Sequence, residues 1–92
     1  MLDCFFIHDG QPRNSQQINS AGGIEYEEFE KAQELKIIEK HLDYYGDFRW
    51  WSQLVKSKRD MLTPTVEAAI SNLAGILRQA FAAESGLVAF GD

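Results

Sequence analysis

The sequence predicts a mainly α-helical domain: a three-helix antiparallel, bundle-like unit with short extended or β segments at both termini. Three observations predict it. Apolar residues recur every three or four positions from Tyr26 through Phe29, Ala32, Leu35, Ile38 and Leu42 to Tyr45, the spacing of one helix face. Helix punctuation follows twice, as Gly46-Asp47 and as Thr63-Pro64. The 21 residues from Thr63 to Ala83 carry only two charged side chains, Glu67 and Arg78, where a quarter of them (about five) would match the 25% charged content of the whole chain. A helix without a charged face has no side to give to water.

Each element has its own signal. Cys4-Phe5-Phe6-Ile7 is a short apolar run and predicts an extended segment over 4–8, closed by the turn dipeptide Asp9-Gly10. Gln11 to Gly23 is polar, rich in Asn, Ser, Gln and Gly, and reads as a flexible connection. Helix one is expected over about 25–45. Acids crowd its start (Glu25, Glu27, Glu28, Glu30) and bases come later (Lys36, Lys40), an order that complements the helix dipole. Gly46 is placed to end it as a left-handed cap. Helix two is expected over 48–62, with Asp47 as N-cap and Trp50, Trp51, Leu54 and Val55 inside it. Helix three is expected over 64–84, with Thr63 as N-cap, Pro64 in the first turn and Ser85-Gly86 as its stop. The closing run Leu87-Val88-Ala89-Phe90 is a second extended segment, over 87–90, that can pair with Cys4 to Ile7. Two strands alone are marginal in water, so such a ribbon needs packing or extension across a symmetry axis.

Ninety-two residues predict one domain, spanning 1–92. The chain is 45% hydrophobic and 12% aromatic, enough for a core and too much for disorder. A single cysteine, Cys4, rules out an internal disulfide and suits a reducing compartment. Asp3 stands where a signal peptide needs basic residues, and no apolar run approaches a membrane span. The expectation is a cytoplasmic protein with no membrane partner. A net charge of −5 opposes general nucleic-acid binding. Charge is unevenly divided: residues 24–47 hold three bases and eight acids (3 − 8 = −5), and residues 48–59 hold four bases and no acid. Bases beside tryptophans can hold a single strand, but a basic helix beside an acidic one, with solvated outer faces, is the simpler reading.

Helix three carries the main functional expectation. At 100° per residue, Val66, Ile70, Leu73, Leu77 and Phe81 fall on one side. Ala68, Ser71, Gly75 and Ala82, with Gln79, fall opposite. A mid-helix glycine costs about 1 kcal/mol relative to alanine and has most use where another backbone approaches closely. Ala68, Ser71, Gly75 and Ala82 are therefore the candidate subunit interface, with a two-fold axis as the default symmetry. Coverage by the terminal segments of the same chain, or a solvated alanine face, are the competing readings. The expected partner is a second copy of the chain, as dimer or tetramer.

Five of the eleven aromatics lie between Tyr44 and Trp51. Tyr45, Arg49, Trp50 and Trp51 form a second candidate surface, for a ligand or a protein partner, since Trp, Tyr and Arg are enriched at binding hot spots. A helix corner that fastens helix one to helix two explains the same residues structurally. No catalytic set is proposed. Cys4 and His8 are four apart and His41 and Asp43 two apart, too few ligands for a zinc site. Gly22-Gly23 precedes a helix, but no Lys-Ser/Thr follows and four glutamates would repel phosphate. No cofactor is implied. In length, acidity and lack of a catalytic signature the chain resembles the small accessory proteins that bacteria carry on mobile elements: antitoxins, immunity proteins and cassette products. That likeness is one of kind, and it implies a protein partner without assigning positions. The reading is a non-enzymatic, self-associating helical interaction module. The alternatives are a small-molecule binder using the aromatic corner and an accessory protein that docks another protein through acidic helix one.

Overall fold

The two apolar runs near the ends of the chain lie side by side at the centre of a sheet. β1 (Leu2–Ile7) pairs antiparallel with β4 (Gly86–Phe90), placing Cys4 opposite Ala89 and Phe5 opposite Val88. The computed structural model describes residues 1–12 and 18–91. Within them β2 (Asn19–Ile24) adds to β1, and β3 (Asp47–Trp50) adds to β4. The result is a four-stranded antiparallel sheet of order β2-β1-β4-β3. Four helices complete the described residues: α1 (Tyr26–Glu34), α2 (Ser52–Asp60), α3 (Pro64–Ala69) and α4 (Ser71–Ala82). The fold is α+β. The sheet overturns the mainly α, three-helix bundle expectation, and with it any all-α or helical-bundle description.

One face of the sheet carries the core. Leu2, Cys4, Ile24, Trp50, Leu87 and Ala89 pack with Phe29 and Ala32 of α1, Val55 of α2, and Leu73, Ile76, Leu77 and Ala80 of α4. Strand residues alternate between faces, so Asp3, Phe5 and Ile7 of β1, with Val88 and Phe90 of β4, occupy the opposite face. β4 is buried from Gly86 to Ala89, the pattern of a central strand covered on both sides.

Helix one stops early for a physical reason. α1 ends at Glu34, Leu35 is its C-cap, and Lys36 takes a left-handed φ of 64°. The 3–4 spacing persists beyond it, but residues 36–46 form an irregular segment held by side chains. Gln33 Nε2 donates to the carbonyls of Glu39 (3.1 Å) and Leu42 (3.0 Å). Lys58, buried in α2, donates through Nζ to the Ile37 carbonyl and to the Glu39 carboxylate, and lies 4.3 Å from the Trp50 ring centroid. Backbone carbonyls that a helix would have satisfied are met this way.

Helix two is also shorter than expected, because Asp47–Trp50 is β3. Adjacent tryptophans in a helix point about 100° apart and cannot share one buried side. In a strand they take opposite faces: Trp50 is 3% exposed and Trp51, just past the strand, is 50% exposed. The expected helix three is two helices. Ile70 breaks it at φ −132°, ψ 52°, with its side chain fully buried, and the run's two charges, Glu67 and Arg78, pair with one another across the break. Thr63 caps α3 as expected, its Oγ1 accepting from the Val66 N–H at 3.2 Å. α4 ends through Glu84 at a left-handed φ of 54°, ahead of Ser85-Gly86. Of the polar stretch 11–23, residues 19–23 belong to β2, and residues 13–17 lie outside the described residues.

Candidate interaction surface

β2 is an edge strand with one neighbour, β1, among the described residues. Its sequence, Asn-Ser-Ala-Gly-Gly-Ile, carries no charge and no proline. Edge strands are commonly blunted by charge, proline or shortness. β3 on the other side is so protected: it is four residues long and bears Asp47 and Arg49. β2 has only a bulge, where its register shifts opposite Cys4 and Phe5.

The ladder fixes which backbone groups of β2 face outward. Gly91 N–H donates to the Gly46 carbonyl at 2.9 Å, one rung beyond the Asp47–Phe90 pair. Hydrogen-bonded and non-bonded rungs alternate in antiparallel pairs, so Phe90, Val88 and Gly86 turn their backbone groups to β1. Leu2, Cys4 and Phe6 then turn theirs to β2, where they meet Ile24, Gly22 and Asn19. Ser20 and Gly23 are left with N–H and C=O turned out of the sheet.

Directly beside this edge runs α4. Gly22, at φ +119°, has no Cβ, and one added there would sit 3.6 Å from Ile76 Cδ1. That distance is ordinary van der Waals contact, so it is the backbone conformation, and not the packing of α4 on β2, that favours glycine here. A groove of about 320 Å³ lies between them, lined by Gly22, Gly23, Ser71, Gly75, Ile76 and Gln79, among others. A side chain at Gly75 would meet nothing within 4 Å. The four small residues expected at an interface thus separate: Ser71 and Gly75 line the groove, Ala68 is exposed on α3, and Ala82 is exposed at the end of α4. Sequence reading passed over Ser20 and Gly23. The signal that could have found them is an uncharged run from Ile18 to Ile24, bounded by isoleucines.

The aromatic corner is dispersed by the strand. Trp50 packs inward beside Phe48 at 5.3 Å. Trp51 faces outward under the Arg49 guanidinium, 3.8 Å from its centroid. Tyr45 is exposed and packs edge to face with Tyr44 at 5.1 Å. Trp50 and Tyr45 line separate cavities. Arg49 instead pins the β1–β2 connection, donating to the carbonyls of Gln11 (2.8 Å), His8 (2.9 Å) and Asp9 (3.2 Å). On the outer sheet face Ile7 and Val88 are buried, while Phe5 and Phe90 are half-buried, edge to face at 5.7 Å.

Burial, followed by the nearby carboxylates of Asp3 and Glu28, pushes the Cys4 thiol up to about 12, which leaves it protonated and inert at neutral pH. Among the described residues no three His, Cys, Asp or Glu side chains come together as metal ligands. A second open depression, of about 490 Å³, lies between the start of α2 and the end of α4, with Ser52, Lys56, Phe81 and Ser85 on its walls. The carboxylate of Asp9 already occupies the start of α2: Oδ1 accepts from Ser52 N–H at 2.9 Å and Oδ2 from Ser52 Oγ at 2.5 Å. Among the described residues no helix is long and apolar enough to cross a membrane.

Comparison with known proteins finds no matching family model, curated protein or solved structure.

Proposed function

We propose that the chain is a non-enzymatic, self-associating interaction module. The observation that carries this reading is the open edge of β2: six uncharged residues, with the backbone of Ser20 and Gly23 turned outward, beside a groove floored by Gly75. Unpaired strand edges recruit another strand, and the charge that keeps this acidic chain apart elsewhere is missing there. The test is mass in solution. Sedimentation equilibrium over a concentration series should give a multiple of the 10.5 kDa chain mass; a monomer at every concentration would remove the reading.

A second reading has one observation in its favour. Phe5 is half-buried on the sheet face opposite the core, with Asp3 two residues away on the same face. An apolar patch with an acidic margin suits a basic protein partner, in keeping with a small acidic accessory protein. A Phe5→Lys substitution that abolishes partner binding while leaving self-association intact would favour it.

A further inference from the structure

We infer that the self-association proposed above is a two-fold dimer. Its axis stands normal to the sheet and passes between β2 and the β2 of a second copy, and α4 meets its own mate at Gly75. The inference rests on the proposed function and adds the surface, the symmetry and the register.

Two features lie next to each other, and one operation uses both. The first is the hydrogen-bonding edge of β2. An axis normal to the sheet sets β2 antiparallel to its mate, the arrangement in which Ser20 and Gly23 can exchange N–H and C=O bonds with the same strand of the other copy. The sheet then runs on through eight strands. The second is the position of α4, which packs over β2 at the sheet's margin. The same axis keeps both α4 helices on one face and turns them antiparallel. Strands across the new junction lie about 4.8 Å apart, whereas packed helices prefer about 8–10 Å. Helices seated over adjoining edge strands are therefore pressed together, and a small side chain at the point of closest approach allows it; Asn72 and Gln79, which also line the groove, lie about a turn away from Gly75 on either side. Ser71 and Gly75, one turn apart on the groove side of α4, are small, and Gly75 has open space in front of it.

A foreign peptide would use the edge but has no need of a smooth helix beside it. A second copy brings a helix at the same height above the sheet, so both features are explained together. Charge agrees. β2 carries none, and α4 carries only Arg78, which pairs with Glu67. Two chains of net charge −5 meet where neither is acidic.

The experiment measures the mass of wild type, Ser20→Pro, Gly75→Leu and Phe5→Lys by sedimentation, with circular dichroism to confirm the fold of each. Ser20→Pro removes an outward N–H while sparing the β1 ladder, as edge positions allow. Gly75→Leu puts a bulky side chain into the groove and leaves the outward N–H and C=O groups of β2 in place. The expected result is a twofold mass for wild type and Phe5→Lys, and a single-chain mass for folded Ser20→Pro and Gly75→Leu. Across the axis, residue 71 of one helix faces residue 79 of the other, so Ser71→Cys/Gln79→Cys should cross-link to a dimer on oxidation. That double variant keeps the edge intact and reports the contact should Ser20→Pro fail to fold. A dimeric wild type that both single variants leave dimeric, or a double variant that does not cross-link, overturns this inference and leaves self-association standing. Dissociation by Phe5→Lys alone moves the contact to the sheet face opposite the core and also overturns it. A wild type monomeric throughout removes both claims.

Discussion

Two carboxylates do at a distance what capping residues do locally. Neither Trp51 nor Ile70, the N-cap residues of α2 and α4, offers a capping side chain. Asp9 accepts from the Ser52 backbone and hydroxyl at the start of α2. Glu28 of α1 accepts from Leu73 N–H at 2.6 Å and Asn72 Nδ2 at 2.9 Å at the start of α4. Both serve orphan donors in the first turn, from 43 and 45 residues away. The side-chain and backbone hydrogen bonds from Ser52 hold the Asp9 carboxyl below its ordinary 3.8. A carboxyl depressed in the folded state adds stability that is complete above its unfolded value and is lost as pH falls through the folded one. Asp9→Asn should therefore lower stability near neutrality and flatten the acid limb of a plot of melting temperature against pH. An unchanged acid limb would show that the contact does not persist in solution. Glu28→Ala leaves the Leu73 N–H without its acceptor in a half-buried setting. It should cost about 1–2 kcal/mol in urea unfolding, and a loss within experimental error would remove Glu28 as the α4 cap.

At the scale of elements, the glycines divide by what surrounds them. A Cβ at Gly86 would collide with the Trp50 carbonyl and stand 3.2 Å from Trp51 Cα. Gly86→Ala should therefore force β3 away from β4 and cost about 3 kcal/mol. Gly75 sits in mid-helix with nothing in front of it, so Gly75→Ala should stabilise the isolated chain by about 0.5–1 kcal/mol. Unfolding both variants in urea checks the pair, and a reversed order would contradict the packing at β3 and α4. The same division explains what was legible. The runs Cys4 to Ile7 and Leu87 to Phe90 announce extended segments by composition, and Thr63-Pro64 announces α3. β2 does not, because two glycines, a serine and an asparagine have low strand propensity; it forms because β1 offers it a ladder. β3 was hidden inside an apparent helix by four residues whose only clue was Trp50 beside Trp51. α1 read too long because Ile38, Leu42 and Tyr45 keep a helical spacing while Gln33 and Lys58 hold their backbone in another shape. At the candidate site, Gly75 and Ser71 were legible from helical periodicity. Ser20 and Gly23 were not, because an edge is defined by the neighbour a strand lacks.

For the whole molecule, the sheet order sets where stability resides. β1 and β4 are central and pair residues far apart in the chain, from Ile7 with Gly86 to Asp3 with Phe90, so the sheet closes only after distant segments have met, a slow class of topology. Their amides should exchange only with global unfolding. The outward amides of Ser20 and Gly23 behave differently. In a single chain they face solvent and exchange fast, whatever the stability of the core. In the two-fold dimer they donate across the axis, and their exchange then requires dissociation. Mass action makes that dependence measurable: protection at Ser20 and Gly23 should rise with protein concentration while protection in β1 and β4 stays flat. Hydrogen exchange read residue by residue at several concentrations separates the two cases. A mass that doubles while Ser20 and Gly23 exchange at an unchanged rate would mean that the copies meet elsewhere, because no contact through this edge can form without engaging those two amides.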